Sequence, residues 1–219
     1  VCHDGGPFYI DDYLANDYVD HFSGTFSRVD NGKSREFTEY ILPGDMDKNF
    51  SSSSVSPTYT SYYKGQNHFN FASESAPVDL SSYSDAISAT TVKLPFNHNK
   101  PSLEYDESTQ KYKYSEYGQA HVDPGNNNEQ LAFDNVLLQN ARYVKFDDNG
   151  YMMFYAKDTG REGYYITKGK AIKITWTKPE DDCEPTRYYD STGTEITINT
   201  GKTYIALIPD DKYSGLEIK

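Results

Sequence analysis

The triplet Asp158-Thr159-Gly160 has the residue types of the aspartic-protease catalytic motif. That chemistry needs two carboxylates sharing one proton at close range. The chain carries no second copy, and Lys157 and Arg161 flank the triplet, so a solvated turn is expected there. His121 and Asp123 stand two apart, which on a strand puts both on one face. A His beside a carboxylate can act as an oriented base or a metal ligand. The leading reading is plainer, a structural hydrogen bond that pins the loop before Leu131. The stretch Asp123-Pro-Gly-Asn-Asn-Asn-Glu129 gathers oxygen donors, with Asp123, Asn126, Asn128 and Glu129 as calcium candidates. Calcium takes six to eight oxygens, and the EF-hand glycine spacing is not met, so a polar turn is favoured. Trp176 alternates with Ile172 and Ile174, which predicts one shared core face; a sugar-stacking platform is the alternative. No Gly-x-Ser-x-Gly elbow and no phosphate-binding glycine loop occurs, and the five histidines show no His-x-x-x-His spacing.

The elements that must carry these residues read mainly as strands. Ile10, Leu14, Tyr18 and Phe22 fall at four-residue spacing, predicting one helix or two short turns over 8–22. Residues 44–56 read as a loop or helix start, and 58–71 as a strand pair turning at Lys64-Gly65. Residues 71–85, rich in Ser and carrying Pro77, read as a linker. Beyond it the pattern is strand upon strand: 89–96, a hairpin over 102–117, then 135–139 and 141–146. The Asp147-Asp-Asn-Gly150 turn, where Asn-Gly favours positive φ, leads back into 151–156. Further strands are expected at 163–166, 171–177, 187–189, 195–198 and 203–208. Short strands at this spacing suggest a sandwich or barrel.

Composition bounds the role. The 219 residues include 21 Tyr and 11 Phe, and the formal net charge is −12. Tyrosine brings apolar area with a hydroxyl that prefers a wet or hydrogen-bonded end. Adjacent pairs, Tyr62-Tyr63, Tyr164-Tyr165 and Tyr188-Tyr189, allow an outward aromatic surface, since neighbours on a strand face opposite ways, with ordinary amphipathic packing expected for most of them. Like-charge repulsion argues against nucleic acid and anionic lipid. No apolar run reaches the roughly 20 residues of a membrane-spanning helix. Cys2 and Cys183, the only cysteines, allow one disulfide but no disulfide scaffold.

An ordered set of motifs resembles the YerB-like bacterial lipoprotein family, a domain family of unknown function. In the C-terminal part it comprises His121-Val-Asp123, Glu129-Gln-Leu131, Asn135-Val136, Gly160, Gly169-Lys170 and the strand carrying Trp176. Pro185-Thr-Arg-Tyr188, Asp190 with Gly193, and Gly201-Lys-Thr203 up to Pro209 complete it. Cys2-His-Asp-Gly-Gly6 is similar to the family's His-x-Gly-Gly segment, and Glu36-Phe-Thr-Glu-Tyr40 to a later short motif. A further family segment of Gly-Pro-x-Arg character is missing, so the chain is expected to be part of a longer protein.

The resemblance and the pattern together imply an α+β fold. An N-terminal α/β remainder, 1–85, would pack on a mostly antiparallel β-rich C-terminal domain, 86–219, sandwich-like or barrel-like. The expected role is a non-catalytic binding module of the cell envelope in a Gram-positive bacterium, extracytoplasmic and secreted or membrane-anchored. Any lipid anchor would use a cysteine upstream of this chain. Its partner would be an envelope protein or a neutral wall glycan, and no cofactor is implied. Binding candidates are His3, Asp4, His121, Asp123, Tyr164, Trp176 and Tyr188. The alternative is a wall glycan or peptide hydrolase, with His3, Asp4, His121 and Asp123 meeting at a domain junction.

Overall fold

The computed structural model describes residues 2–3, 5–6, 8–58 and 67–219. The chain forms an α+β fold of two compact units, Val1–Gln66 and Asn67–Lys219. The expected turn at Lys64-Gly65, Tyr62, Tyr63 and Asp4 lie outside the described residues.

In the first unit Cys2–His3 pairs in parallel with Phe22–Ser23, and Ser27–Arg28 pairs antiparallel with Glu39–Tyr40. The periodicity over 8–22 yields only a 3-10 turn, Phe8–Ile10, and one helical turn, α1 (Asp11–Leu14). The Asn16 side chain explains the stop: its amide donates to the carbonyls of Asp12 and Tyr13, competing with continued helix. A second helix, α2 (Asp45–Ser51), occupies the stretch read as loop or helix start. Its first residue anchors it. The Asp45 carboxylate accepts from the backbone of Leu42 and from both the backbone and hydroxyl of Ser27, which holds its pKa low. Phe50 of this helix meets the buried Phe22 edge-on at 5.1 Å.

The second unit is built on two open sheets, with two separate two-stranded pairs beside them, Val122–Asp123 with Glu129–Gln130 and Tyr143–Lys145 with Met152–Phe154. In chain order the strands of the two sheets are β1 (Ile87–Ser88), β2 (Thr91–Lys93), β3 (Ser102–Asp106), β4 (Lys111–Glu116), β5 (Gln119–Ala120) and β6 (Ala132–Phe133). There follow β7 (Asn135–Ala141), β8 (Asp158–Thr167), β9 (Lys170–Lys178), β10 (Arg187–Tyr189), β11 (Thr203–Pro209) and β12 (Glu217–Ile218). One sheet runs β6-β4-β3-β2-β12, with β5 paired to β4; the other runs β10-β9-β8-β7-β11, with β1 paired to β9. All pairs are antiparallel except β7 with β11. The turn joining β8 and β9 needs positive φ at two successive residues, and Lys168 (49°) with Gly169 (74°) supplies it.

Alternation along β7 explains the layering. Val136 and Leu138 face the first sheet, where they share a core with Val92, Leu103, Tyr112, Ile166 and Ile208. Leu137 and Ala141 face the other way, into a second core with Tyr165, Ile172, Ile174 and Trp176. That second core is roofed by Leu80, Ile196 and Ile198, with Tyr188 beside Trp176 on the sheet face. β7 is therefore buried on both faces, as its near-continuous apolar run requires. Each fully buried aliphatic side chain of this kind contributes about 1.5–3 kcal/mol. Residues 71–85, read as linker, are part of this roof: Leu80 is buried and belongs to the second unit. The expected strand at 195–198 is replaced by single backbone bonds, Ile196 to Tyr188 and Ile198 to Asn70, because the chain there covers a sheet face instead of extending an edge.

Burial of tyrosines links this packing to pH. Desolvation pushes the Tyr165 hydroxyl up to about 12, and raises those of Tyr112 and Tyr188 further. A raised folded-state pKa favours the neutral form, so its contribution is complete below the unfolded value near 10 and is lost as pH climbs above it. The melting temperature is expected to hold between about pH 7 and 9 and to fall steeply above about pH 10. Tyrosinate absorbance should then rise together with unfolding; a rise well before unfolding would contradict the burial.

Candidate functional site

A two-residue turn, Tyr117-Gly118, joins β4 to β5, again with positive φ at both positions (53° and 74°). It brings His121 back beside β4. The backbone of His121 donates to Tyr114 and accepts from Leu131. Its side chain meets Glu116, not Asp123: His121 Nδ1 lies 2.8 Å from Glu116 Oε1. Glu116 also accepts from Asn99 Nδ2 at 3.2 Å and from the Tyr114 hydroxyl at 3.2 Å. The Asn99 bond, with Tyr114 and the His121 ring adding to it, holds the Glu116 carboxyl below its usual range. Tyr114, buried behind this carboxylate, is raised by desolvation and tilts against Tyr204 at 5.4 Å.

An open cleft of about 500 Å3 adjoins this cluster, lined by Phe96, Asn97, His98, Asn99, Tyr204 and Lys212. The 96–101 turn is tied down by the bond from Tyr117 N to Asn99 O. The His98 ring stands edge-on to the exposed Tyr117 at 5.5 Å. Aromatic faces, two asparagine amides and a fixed carboxylate are thus gathered at one end of the first sheet. Glu116 and Tyr204 were not singled out by sequence reasoning. The signal for Glu116 was the Tyr-Gly turn, which fixes its pairing with Gln119 and draws His121 near.

The other expected site residues fall elsewhere. Asp123 lines a separate cleft of about 430 Å3 together with Lys111, Lys113 and Lys202. Its carboxylate accepts from Gly125 N, its carbonyl from Asn126 and Asn128, and Asn126 Nδ2 donates to Glu129. The calcium candidates therefore satisfy one another in a turn, with lysines alongside, and do not converge as a cation shell. Among the described residues no group of three or more His, Cys, Asp or Glu is placed to hold a metal ion. Trp176 is fully buried and its Nε1 donates to the Asn140 carbonyl at 3.1 Å, so it offers no stacking platform. Tyr188 is buried, with Phe69 stacked on it at 6.5 Å. Tyr164 is half-buried against the first core and borders a smaller cleft with Tyr213, Lys173 and Asp190. The pairs Tyr164-Tyr165 and Tyr188-Tyr189 do not form an outward surface, because both faces of their sheet are covered.

Asp158-Thr-Gly160, expected as a solvated turn, lies within β8 instead. It forms a bulge at the start of β8, where the register with β9 shifts between Asp158 and Arg161. Gly160 supplies the positive φ of 66°. Asp158 accepts from Thr159 N and from Arg142 Nε, both at 2.9 Å. Burial opposes ionisation there, but these bonds win and hold its pKa low. Cys2 and Cys183 are both free thiols. His3 lies in the first unit beside His21, with ring centroids 5.5 Å apart. No helix among the described residues is long and apolar enough to cross a membrane.

Comparison with known proteins agrees with this architecture. The model of the family described as "Protein of unknown function (DUF3048) C-terminal domain" matches residues 92–205. No curated protein matches the chain. The crystal structure of YerB protein from Bacillus subtilis superposes with a TM-score of 0.76 at 17% identity, covering 100% of this chain and 69% of that one. At that identity the likeness is one of fold.

Proposed function

The chain belongs to this family of unknown function, and from that premise we propose that it is a non-catalytic binding module of the cell envelope. Its ligand in this reading is a neutral glycan, seated in the cleft of Phe96, His98, Asn99 and Tyr204. The carrying observation is the composition and fixity of that cleft. Flat aromatic faces suit the C–H faces of a pyranose, while Asn97 and Asn99 offer paired donors and acceptors to its hydroxyls. Few, well-placed polar groups on an aromatic wall are what small-ligand sites use to set orientation. The net charge of −12 supports a neutral ligand over an anionic wall polymer. Glu116 supports binding over catalysis: its hydrogen bonds from Asn99, Tyr114 and His121 commit it as an acceptor.

The test is calorimetric titration of the full chain with oligomers of β-1,4-linked N-acetylglucosamine. Saturable binding is expected, weakened about tenfold in Asn99→Ala, a loss of roughly 1.4 kcal/mol. His98→Ala should weaken it by a smaller factor, and Asp123→Ala, in the other cleft, should leave it unchanged. Absence of heat with the native chain, or equal affinity in the Asn99 variant, overturns the reading. Release of shortened sugars on prolonged incubation would favour the hydrolase alternative instead.

A further inference from the structure

We propose that His3 and His21 form a binding site for a borderline divalent transition metal such as zinc. Three observations in the first unit carry this. The first is tautomer. His3 Nδ1 lies 3.0 Å from the Gly5 carbonyl, and His21 Nδ1 lies 3.3 Å from the Val19 carbonyl. A carbonyl can only accept, so in both rings Nδ1 carries the proton and Nε2 presents its lone pair. Metal-bound histidines are oriented in this way, by a second-nitrogen bond to a backbone carbonyl or carboxylate.

The second is desolvation. His3 Nε2 is buried with no hydrogen-bond partner among the described residues. A buried acceptor left unpaired costs about 1–3 kcal/mol, and such an atom calls for a partner such as an ion. The third is spacing. Two imidazoles holding one metal through Nε2 at about 2.0–2.1 Å and near the tetrahedral angle have ring centroids roughly 5 Å apart. The observed separation is 5.5 Å, with the rings inclined at 34°. The parallel pairing of Cys2–His3 with Phe22–Ser23 sets this distance, because it aligns residue 3 with residue 23 and places His21 just before the paired segment.

Cys2 is not part of the set. Adjacent strand residues face opposite ways, and its sulfur lies against Met46 at 3.8 Å. Two protein ligands leave the remaining positions of a tetrahedral ion to water or an incoming donor, as in sites that stay open. Neutral imidazole suits zinc and copper over calcium or magnesium, which prefer oxygen.

The experiment uses the full chain, stripped with chelator and titrated calorimetrically with zinc chloride, beside His3→Gln, His21→Gln and the control His98→Gln. One equivalent of zinc is expected to bind, and the native melting temperature to rise with it. Each of the first two variants should lose at least about tenfold in affinity, and the control should not. Ring-nitrogen NMR of the native chain gives a readout that needs no variant: zinc should shift the Nε2 signals of His3 and His21. Absence of zinc binding, unchanged affinity in both variants, or shifts confined to other histidines would overturn the proposal. The glycan titration reads a different unit, so the two ideas fail separately.

Discussion

Trp176→Ala is expected to lower the unfolding free energy of the second unit by about 3–5 kcal/mol, the range for emptying an aromatic site in a packed core. The ring is fully buried in the second core and lies across from Arg161 on β8 and Tyr188 on β10. It cannot be replaced by neighbours sliding in, because Ile172 and Ile174 hold fixed positions on the same strand and Tyr188 is already packed against Phe69. The substitution also removes the shorter of two bonds to the Asn140 carbonyl, leaving it only the 3.4 Å bond from Arg161 Nε. Urea denaturation followed by far-ultraviolet circular dichroism would measure it, with a fall in melting temperature of roughly 10 °C. Trp176→Phe should recover part of the loss. A cost under about 1 kcal/mol would mean the ring is not in a packed core.

The second large effect is expected at Asn199. This buried side chain accepts from Val78 N at 2.7 Å and donates to Val78 O at 3.0 Å and Thr167 Oγ1 at 3.2 Å. Its backbone donates to the Tyr165 hydroxyl, which in turn donates to Asn135 Oδ1, and Asn135 Nδ2 returns to the Asn199 carbonyl. Asn199→Ala breaks three of these links at once and leaves a part-buried N–H and C=O at Val78 without their partner. At about 1–3 kcal/mol for each unsatisfied group, the loss should reach about 3 kcal/mol. Hydrogen exchange is the sharper measurement: the Val78 amide should become fast while amides of β3 and β4 stay protected. Equal protection at Val78 in the variant would show that the amide does not depend on Asn199.

Much of this scaffold was legible because the relevant forces are local. The 102–117 hairpin, the strand at 135, the Asn149-Gly150 turn and the stripe of Ile172, Ile174 and Trp176 all follow from period-two alternation and turn chemistry. The roof over the second core was not legible. Residues 67–85 are short, polar and serine-rich, and their place depends on Asn199, far along the chain. For the same reason Tyr164-Tyr165 and Tyr188-Tyr189 could be read two ways: alternation says that neighbours diverge, but not that both faces are covered. The Glu116 cluster escaped because its members, Asn99, Glu116 and His121, come from two separate turns and share no spacing pattern. The apolar-periodic stretch at 8–22 took the shorter of its two expected forms, a pair of short turns, because a single side chain, Asn16, competes for the carbonyls that a longer helix would use.

The position of β7 has a consequence for the order in which the molecule can assemble. Its antiparallel partner, β8, follows after one excursion, but its parallel partner, β11, is made only near the end of the chain. Closing so long a loop costs entropy before any contact repays it, and pairings of this kind make folding slow. Until Thr203–Pro209 arrives, the run Val136-Leu137-Leu138 offers an open edge of β-forming, uncharged residues, the kind of segment that recruits other chains. The interval between emergence of β7 and emergence of β11 is therefore the period of greatest exposure to aggregation, and the second unit becomes safe only when its last long strand is in place.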